Sequence, residues 1–469
     1  MSSLSSQNGR LLGIILAYGF VITVLNLGYN SVYHDEALNI LMGRQVLSGE
    51  FCPGCAQNTG SVIVQPVLAA IGDFLGGLRG ARAVGIPFGL GLTVIIYLYA
   101  KNVFSVKNGL LSALIFTFTG TTLYVSKLAT YDIVSAFFLG LSFYLIITSE
   151  NQPFTTRSAL LLFAGSAFLF LAAMTKYVVS IFILPLLLYV FRRHKGINAF
   201  LFFLLPLTFF IGMYLTLAIY PARESLAGSS MSTYQESQVP FSTLSSWTFR
   251  WVAMQYLLAV FGMFHEEKGR KAIPLIILSL TIILLHLITG AEQSVNKNVI
   301  FSFIFLTPAA ALGVEQMGDL FSAQSQTRWV NTFFTTAVLV VVWAFGLHEV
   351  KWLEKQYPDM SPAIDYFREN GFDGMTVIIG SDYGDAVYTY TLGSRFKRAK
   401  FLPVTEYEKK GKEFYGTPDY VIIDKFYGKK QFADMAGRYI SNTYSLAKDF
   451  KIPLSWGVQE IKIFQRRKV

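Results

Sequence analysis

The stretch YNSVYHDEALNILMGRQVLSG, Tyr29 to Gly49, follows the first long apolar run and opens the first loop. Its acidic pair, Asp35 and Glu36, is costly to place beside a membrane without a task. Downstream, Ala37, Leu38, Leu41 and Met42 recur at helical spacing. The pattern predicts a short amphipathic helix lying on the membrane surface, with Asp35 near its N-terminus. Neighbours on a helix point about 100° apart, so one site uses only one of the two acids directly.

The membrane itself is read from composition. The chain has 469 residues, 53% hydrophobic, 15% aromatic and 14% charged. Its mean hydropathy is +0.46. These values exclude a soluble globule and indicate a polytopic membrane protein. The net charge of +10 is assigned to loop Lys and Arg on the cytoplasmic face and to a basic tail, with no nucleic-acid partner. The first run, Leu11 to Tyr29, is long enough to span, and no small-residue cleavage site ends it.

Apolar runs predict spans at 11–29, 83–100, 108–126, 131–149, 158–175, 177–191, 197–220, 251–264, 272–290, 298–315 and 329–347, about eleven in all. The run 61–77 is interrupted by Gln65, Pro66, Gly72 and Asp73. Reading it as re-entrant or surface-lying puts Lys101 and Lys107, Arg192, Arg193 and Lys195, and Lys268, Arg270 and Lys271 on the N-terminal, cytoplasmic side. Arg79 and Arg82 then sit outside, against lipid phosphates. The same parity gathers Asp35, Asp132, Lys176, the loop 221–250 and the segment 291–298 on the non-cytoplasmic face.

From about residue 352 the composition changes. Met375–Gly380, Ala399–Val404, Tyr420–Asp424 and Ile461–Phe464 read as strands, and Pro362–Asn370 and Gln431–Tyr439 as helices. The fold expected is an α-helical membrane domain, 1–350, followed by a small extracytoplasmic α/β domain, 351–469.

Few residues here suit chemistry. Asp35 is the candidate general base, taking the proton of an acceptor hydroxyl; its competing role is a helix cap. Asp132, at the start of a span, is the second acid or a cap for that helix. Lys176 and Lys297 flank spans on the same face, where a cation would bind a lipid phosphate or snorkel to the interface. Glu36 and Arg44 are further substrate-binding candidates. Arg223, Glu224 and Tyr234 lie in a loop long enough to act as a lid. His34 and His286 have no metal-ligand spacing, so hydrogen-bonded histidines are expected; a divalent cation is admitted but not required. Cys52 and Cys55, in Cys-Pro-Gly-Cys, predict a local disulfide. Gly380-Ser381-Asp382-Tyr383-Gly384 is a turn signal, not a complete phosphate loop.

Taken together, these stretches resemble the polyprenyl-phosphate-sugar-dependent glycosyltransferases of the C-type superfamily, in the branch holding protein mannosyltransferases and lipid A aminoarabinose transferases. The resemblance covers about residues 10–315. It rests on the order of His34-Asp35-Glu36-Ala37, Ala81-Arg82-Ala83-Val84-Gly85-Ile86-Pro87, Ser126-Lys127-Leu128-Ala129-Thr130-Tyr131-Asp132, Thr175-Lys176 and Lys297 to Pro308. It implies inverting transfer from a lipid-linked sugar, with Asp35 as base and Asp132 as the second acidic position. The aminoarabinose branch carries Glu-Lys-Pro where this chain has Asn58-Thr59-Gly60-Ser61, so neither that donor nor a metal there is carried over. The β-rich module of eukaryotic protein mannosyltransferases is missing, and the acceptor (lipid, glycan or protein) stays open. The alternative is a lipid-linked-sugar flippase or transporter, which would favour charges near the bilayer midplane and paired half-structures.

Overall fold

Two of the long helices cross so closely that only glycine fits between them. A Cβ on Gly313 would stand 1.8 Å from the carbonyl oxygen of Leu258, and one on Gly262 would stand 2.5 Å from that of Ala309. Backbones in contact without side chains between them give the tight packing that apolar helices use in lipid. In this computed structural model the described residues are 2–467, apart from 51–59, 62, 151–153, 220–238, 292–293, 326–327, 372–374, 381–383, 394–395, 397, 425–429, 441 and 456. Cys52, Cys55, Arg223, Glu224 and Tyr234 lie outside the described residues.

The helices are α1 (Ser2–Val24), α2 (His34–Leu47), α3 (Val64–Ala83), α4 (Gly85–Val103), α5 (Val106–Phe118), α6 (Gly120–Val125), α7 (Asp132–Glu150), α8 (Thr156–Thr175) and α9 (Ile183–Arg193). They continue with α10 (Gly196–Leu217), α11 (Phe241–Met263), α12 (Gly269–Thr289), α13 (Val295–Ser325) and α14 (Arg328–Glu354). Among the described residues eight helical segments are long and apolar enough to cross a membrane, one of them the 40-residue run Val64–Val103. The larger number expected included three runs that fold as shorter or less apolar pieces. Residues 108–126 break at Thr119 into α5 and α6, 177–191 begin with a 3-10 turn, and 251–264 form the second half of α11. Helix α13 lies at the centre, with its span wholly buried, while α1, α10 and α14 are largely exposed along theirs.

Within α3, Gly76 and Gly77 leave helical geometry, Gly77 at φ +60°, which bends the segment back before α4. Helix α2 is not covered by lipid as expected. Ala37, Leu38 and Leu41 pack instead on the C-terminal part of the chain, in a cluster with Met360, Ala363, Ile364 and Phe367.

That C-terminal part comprises α15 (Ser361–Asn370), β1 (Thr376–Gly380), α16 (Gly384–Leu392), β2 (Lys400–Pro403), α17 (Val404–Tyr415), β3 (Tyr420–Asp424), α18 (Lys430–Gly437), β4 (Tyr444–Leu454) and β5 (Gly457–Arg466). The sheet order is β2-β1-β3-β5-β4. The first three strands are parallel, with Val377 opposite both Phe401 and Tyr420. β5 runs antiparallel to β3 and β4. The buried strands β1 and β3 are the apolar runs Thr-Val-Ile-Ile-Gly and Tyr-Val-Ile-Ile-Asp. The edge strand β4 escaped the sequence reading because Lys448, Asp449, Lys451 and Pro453 interrupt it, as suits an unpaired edge.

Candidate active site

The first loop is held by a buried ion pair. Arg82 donates to Glu36 from Nε at 2.9 Å and from Nη2 at 2.8 Å, and neither side chain is exposed. The same guanidinium donates to the carbonyls of Leu27 and Ser31. Glu36 also accepts from the backbone of Tyr33, capping α2, and from that of Ala129. Both its oxygens are therefore engaged, and its expected place among substrate contacts is corrected: the structure seats it in the wall behind the site. Arg82, expected against lipid phosphates, is corrected likewise. Arg44, one further expected substrate contact, pairs with Asp73 at 2.6 Å, and Tyr390 donates to the same carboxylate. This triad ties α2, α3 and α16 together.

With α2 so placed, Asp35 in its first turn faces the start of α13. Lys297 Nζ donates to Asp35 Oδ2 at 2.6 Å and lies over the Tyr33 ring at 5.1 Å. The next residue on α13, Asn298, points elsewhere, as adjacent helical residues must. Its side-chain oxygen accepts from Lys176 Nζ at 2.5 Å, and its nitrogen meets His286 Nε2 at 2.9 Å. Lys176, the C-cap of α8, also pairs with Asp132. Asp132 opens α7 and accepts from Thr130 at 2.7 Å. Four residues far apart in the chain, Asp35, Asp132, Lys176 and Lys297, thus form two adjoining ion pairs at one end of the bundle. Asn298 and Thr130 were not singled out from sequence; a polar residue beside each named charge was their only signal. His286 is hydrogen-bonded, through Nδ1 to the Ala291 carbonyl, as expected.

Exposure separates the two acids. The Asp35 side chain is 25% exposed, Lys297 only 1%. Asp132 is fully buried and Lys176 nearly so. Burial pushes the Asp35 carboxyl up, but the Lys297 and His34 charges override it and hold the group below the ordinary value of 3.8. Among the described residues no group of three His, Cys, Asp or Glu is arranged to hold a metal.

The expected basic loops stand at the opposite helix ends. Asp132 starts α7, whose last residue, Glu150, pairs with Arg193 at 3.6 Å. His286 ends α12, whose first turn holds Arg270 and Lys271, the latter donating to the Val103 carbonyl. The C-terminal part sits at the Asp35 end. The Ser31 backbone N–H donates to Asp359, the Met360 backbone N–H donates to the Ser31 hydroxyl, and the Asn30 amide donates to the Glu354 carbonyl.

The model of the dolichyl-phosphate-mannose-protein mannosyltransferase family matches residues 78–217. No curated protein matches the chain by sequence. Among solved structures, ArnT from Cupriavidus metallidurans bound to undecaprenyl phosphate is similar, with a TM-score of 0.57 and 12% identity over 96% of this chain and 97% of that one. The oligosaccharyltransferase AglB of Archaeoglobus fulgidus, in complex with an inhibitory peptide and a dolichol-phosphate, gives 0.58 and 12% over 91% and 70%. The mycobacterial arabinofuranosyltransferase AftD gives 0.53 and 10% over 98% and 40%. At these identities the likeness shows the fold alone, and the family match covers less than a third of the chain. The chain thus has the polytopic membrane fold of these transferases, and its residues 78–217 resemble the dolichyl-phosphate-mannose-protein mannosyltransferase family.

Proposed function

We propose that the protein moves a sugar, with inversion, from a polyprenyl-phosphate carrier to a hydroxyl on a lipid, glycan or protein, and that Asp35 is the general base. The observation that carries this reading is the contrast in exposure: of the four clustered charges, only Asp35 has solvent access for an incoming acceptor. The acceptor oxygen attacks the anomeric carbon, the carbon–oxygen bond to phosphate breaks, and the electron pair leaves with the polyprenyl phosphate. The acceptor proton passes to Asp35. Lys297 and Lys176 supply positive charge where the phosphate gains negative charge. Asp132, buried against Lys176, is a positioning residue.

A carboxylate held by Lys297 is a weak base, and the donor corrects this. Two lysines and two aspartates balance, so an arriving phosphate adds an uncompensated negative charge and competes for Lys297. Both effects raise the proton affinity of Asp35 once donor is bound. We place this site on the non-cytoplasmic face, because the basic loops lie at the other helix ends. We place the division into a membrane domain and a C-terminal α/β domain near residue 350, with the latter on the Asp35 side. A transporter would carry its charges near the midplane; here they cap helix ends.

The test is Asp35→Asn in purified protein, assayed for transfer from polyprenyl-phosphate sugars. A general base contributes about 10²–10⁴-fold, so transfer falls at least 100-fold while donor still binds. Unchanged transfer refutes the assignment. For sidedness, a cysteine introduced near residue 105 resists an impermeant label applied from outside; labelling there overturns it.

A further inference from the structure

The C-terminal sheet has one end turned to the membrane domain and one turned away. At the near end the Ser455 N–H, in the turn between β4 and β5, donates to the Lys355 carbonyl just past α14, and Gln459 accepts from the Asp359 N–H. Strand β4, 11 residues long, separates that turn from Tyr444 by roughly 33 Å at the rise of a strand. At this far end a cavity of about 770 Å³ opens between the strand ends, the segment 416–419 and the residues that follow α18.

Its walls are aromatic and fixed. The Tyr407 hydroxyl donates to the Gly416 carbonyl at 2.7 Å and the Tyr444 hydroxyl to the Pro418 carbonyl at 2.6 Å, so both phenols pin the segment 416–419. Tyr439 is half-buried and meets Tyr407 edge-on, with ring centroids 5.0 Å apart. Among the described residues no second ring covers Tyr439, and its hydroxyl has no partner. The rim is cationic. Arg438, Arg466 and Arg467 line the cavity with one carboxylate, Asp419. That carboxylate is already engaged: Oδ1 accepts from Arg466 at 2.7 Å and Oδ2 from the Thr376 N–H at 2.9 Å. Arg438, 70% exposed, stands 3.7 Å from Glu408. Arg467 is exposed, and among the described residues its guanidinium has no partner, while its backbone N–H donates to the Thr443 carbonyl.

We propose that this cavity binds an anionic sugar unit of an extended glycan, with Arg438 and Arg467 on its carboxylate or phosphate and Tyr439 against its ring. The planar guanidinium matches either oxyanion with two parallel hydrogen bonds. The C–H face of a pyranose is slightly positive and suits the negative face of an aromatic ring. An acidic peptide would instead take a free strand edge, where backbone groups pair along its length. The cavity lies at strand ends, and its volume is that of a site for a compact ligand. A lipid headgroup in the bilayer is separated from it by the length of the sheet. The site is therefore a hold, remote from Asp35, on a chain long enough to reach both. That this chain is the acceptor rests on the proposed function and names the acceptor as a glycan.

The experiment titrates the full chain, in nanodiscs of zwitterionic lipid, with hexagalacturonate, glucose-6-phosphate, maltohexaose and hexaglutamate. Hexagalacturonate or glucose-6-phosphate binds at least about tenfold more tightly than maltohexaose and hexaglutamate, and the tighter of the two identifies the anion as carboxylate or phosphate. Arg438→Gln and Arg467→Gln each weaken that ligand about tenfold, the contribution of a charge-assisted hydrogen bond, and leave the thermal midpoint where it was. Tyr439→Leu weakens it severalfold. Absence of binding, equal binding of maltohexaose or hexaglutamate, arginine variants that bind as wild type does, or weakening seen only with a lowered midpoint overturns the site. Asp35→Asn binds the anionic sugar as wild type does, so a failed site shows in these titrations and a failed base assignment shows in transfer.

Discussion

Replacing Arg82 with Leu tests whether Glu36 belongs to the fold or to the substrate. Both side chains of the pair are inaccessible to solvent, and two hydrogen bonds at 2.9 and 2.8 Å join them. Removing one partner leaves the other charge buried and alone, which costs about 3–5 kcal/mol. The loss of donors to the carbonyls of Leu27 and Ser31 acts in the same direction. Replacing both residues with apolar ones of similar volume restores most of that, because no charge is then stranded. Thermal unfolding of the purified protein in detergent, together with donor KM, separates the roles. Arg82→Leu and Glu36→Gln lower the midpoint, the double variant Glu36→Leu/Arg82→Leu recovers much of it, and the KM of the remaining folded protein stays near wild type. A raised KM with an unchanged midpoint in Glu36→Gln refutes the reasoning and returns Glu36 to the substrate.

The Asp35 carboxyl is depressed by Lys297, so its contribution to stability is present above about pH 3.8 and is lost as pH falls through its folded value. In Lys297→Gln burial acts with less opposition, and the acid limb of the transfer rate moves to higher pH; a profile superimposable on wild type contradicts the pairing. Gly60→Val forces a side chain into the Thr175 carbonyl, so the seam beside Lys176 opens, with about 1–3 kcal/mol lost and weaker donor binding by titration. Gly313→Val meets the Leu258 carbonyl in the same way and separates α11 from α13, which is read as loss of monodisperse protein on gel filtration.

Much of the site was legible because its signals are local. Asp35, Asp132, Lys176 and Lys297 each interrupt or flank an apolar run, and a charge at a helix end is visible without knowing what it faces. Their meeting at one rim followed from parity, since an odd or even number of crossings is a matter of order along the chain. The C-terminal strands β1 and β3 were equally plain, being continuous apolar runs bounded by turns. Less was legible where a residue's partner comes from another element. Glu36 and Arg44 were judged by distance from Asp35 along α2, but their partners, Arg82 and Asp73, come from α3. The apolar stripe of α2 was given to lipid because nothing in the stripe itself distinguishes a lipid tail from the C-terminal cluster that covers it.

Hydropathy, spacing and the order of charged residues by themselves determined that this is a many-helix membrane protein with acids and lysines gathered at one end. Those properties need only the chain and a slab of apolar solvent. Which lysine meets which acid, and that Glu36 is sealed behind the site, were decided by tertiary structure alone. They depend on the rotation of each helix about its axis, and that is set by close approaches such as those at Gly43, Gly60 and Gly313, between segments far apart in sequence.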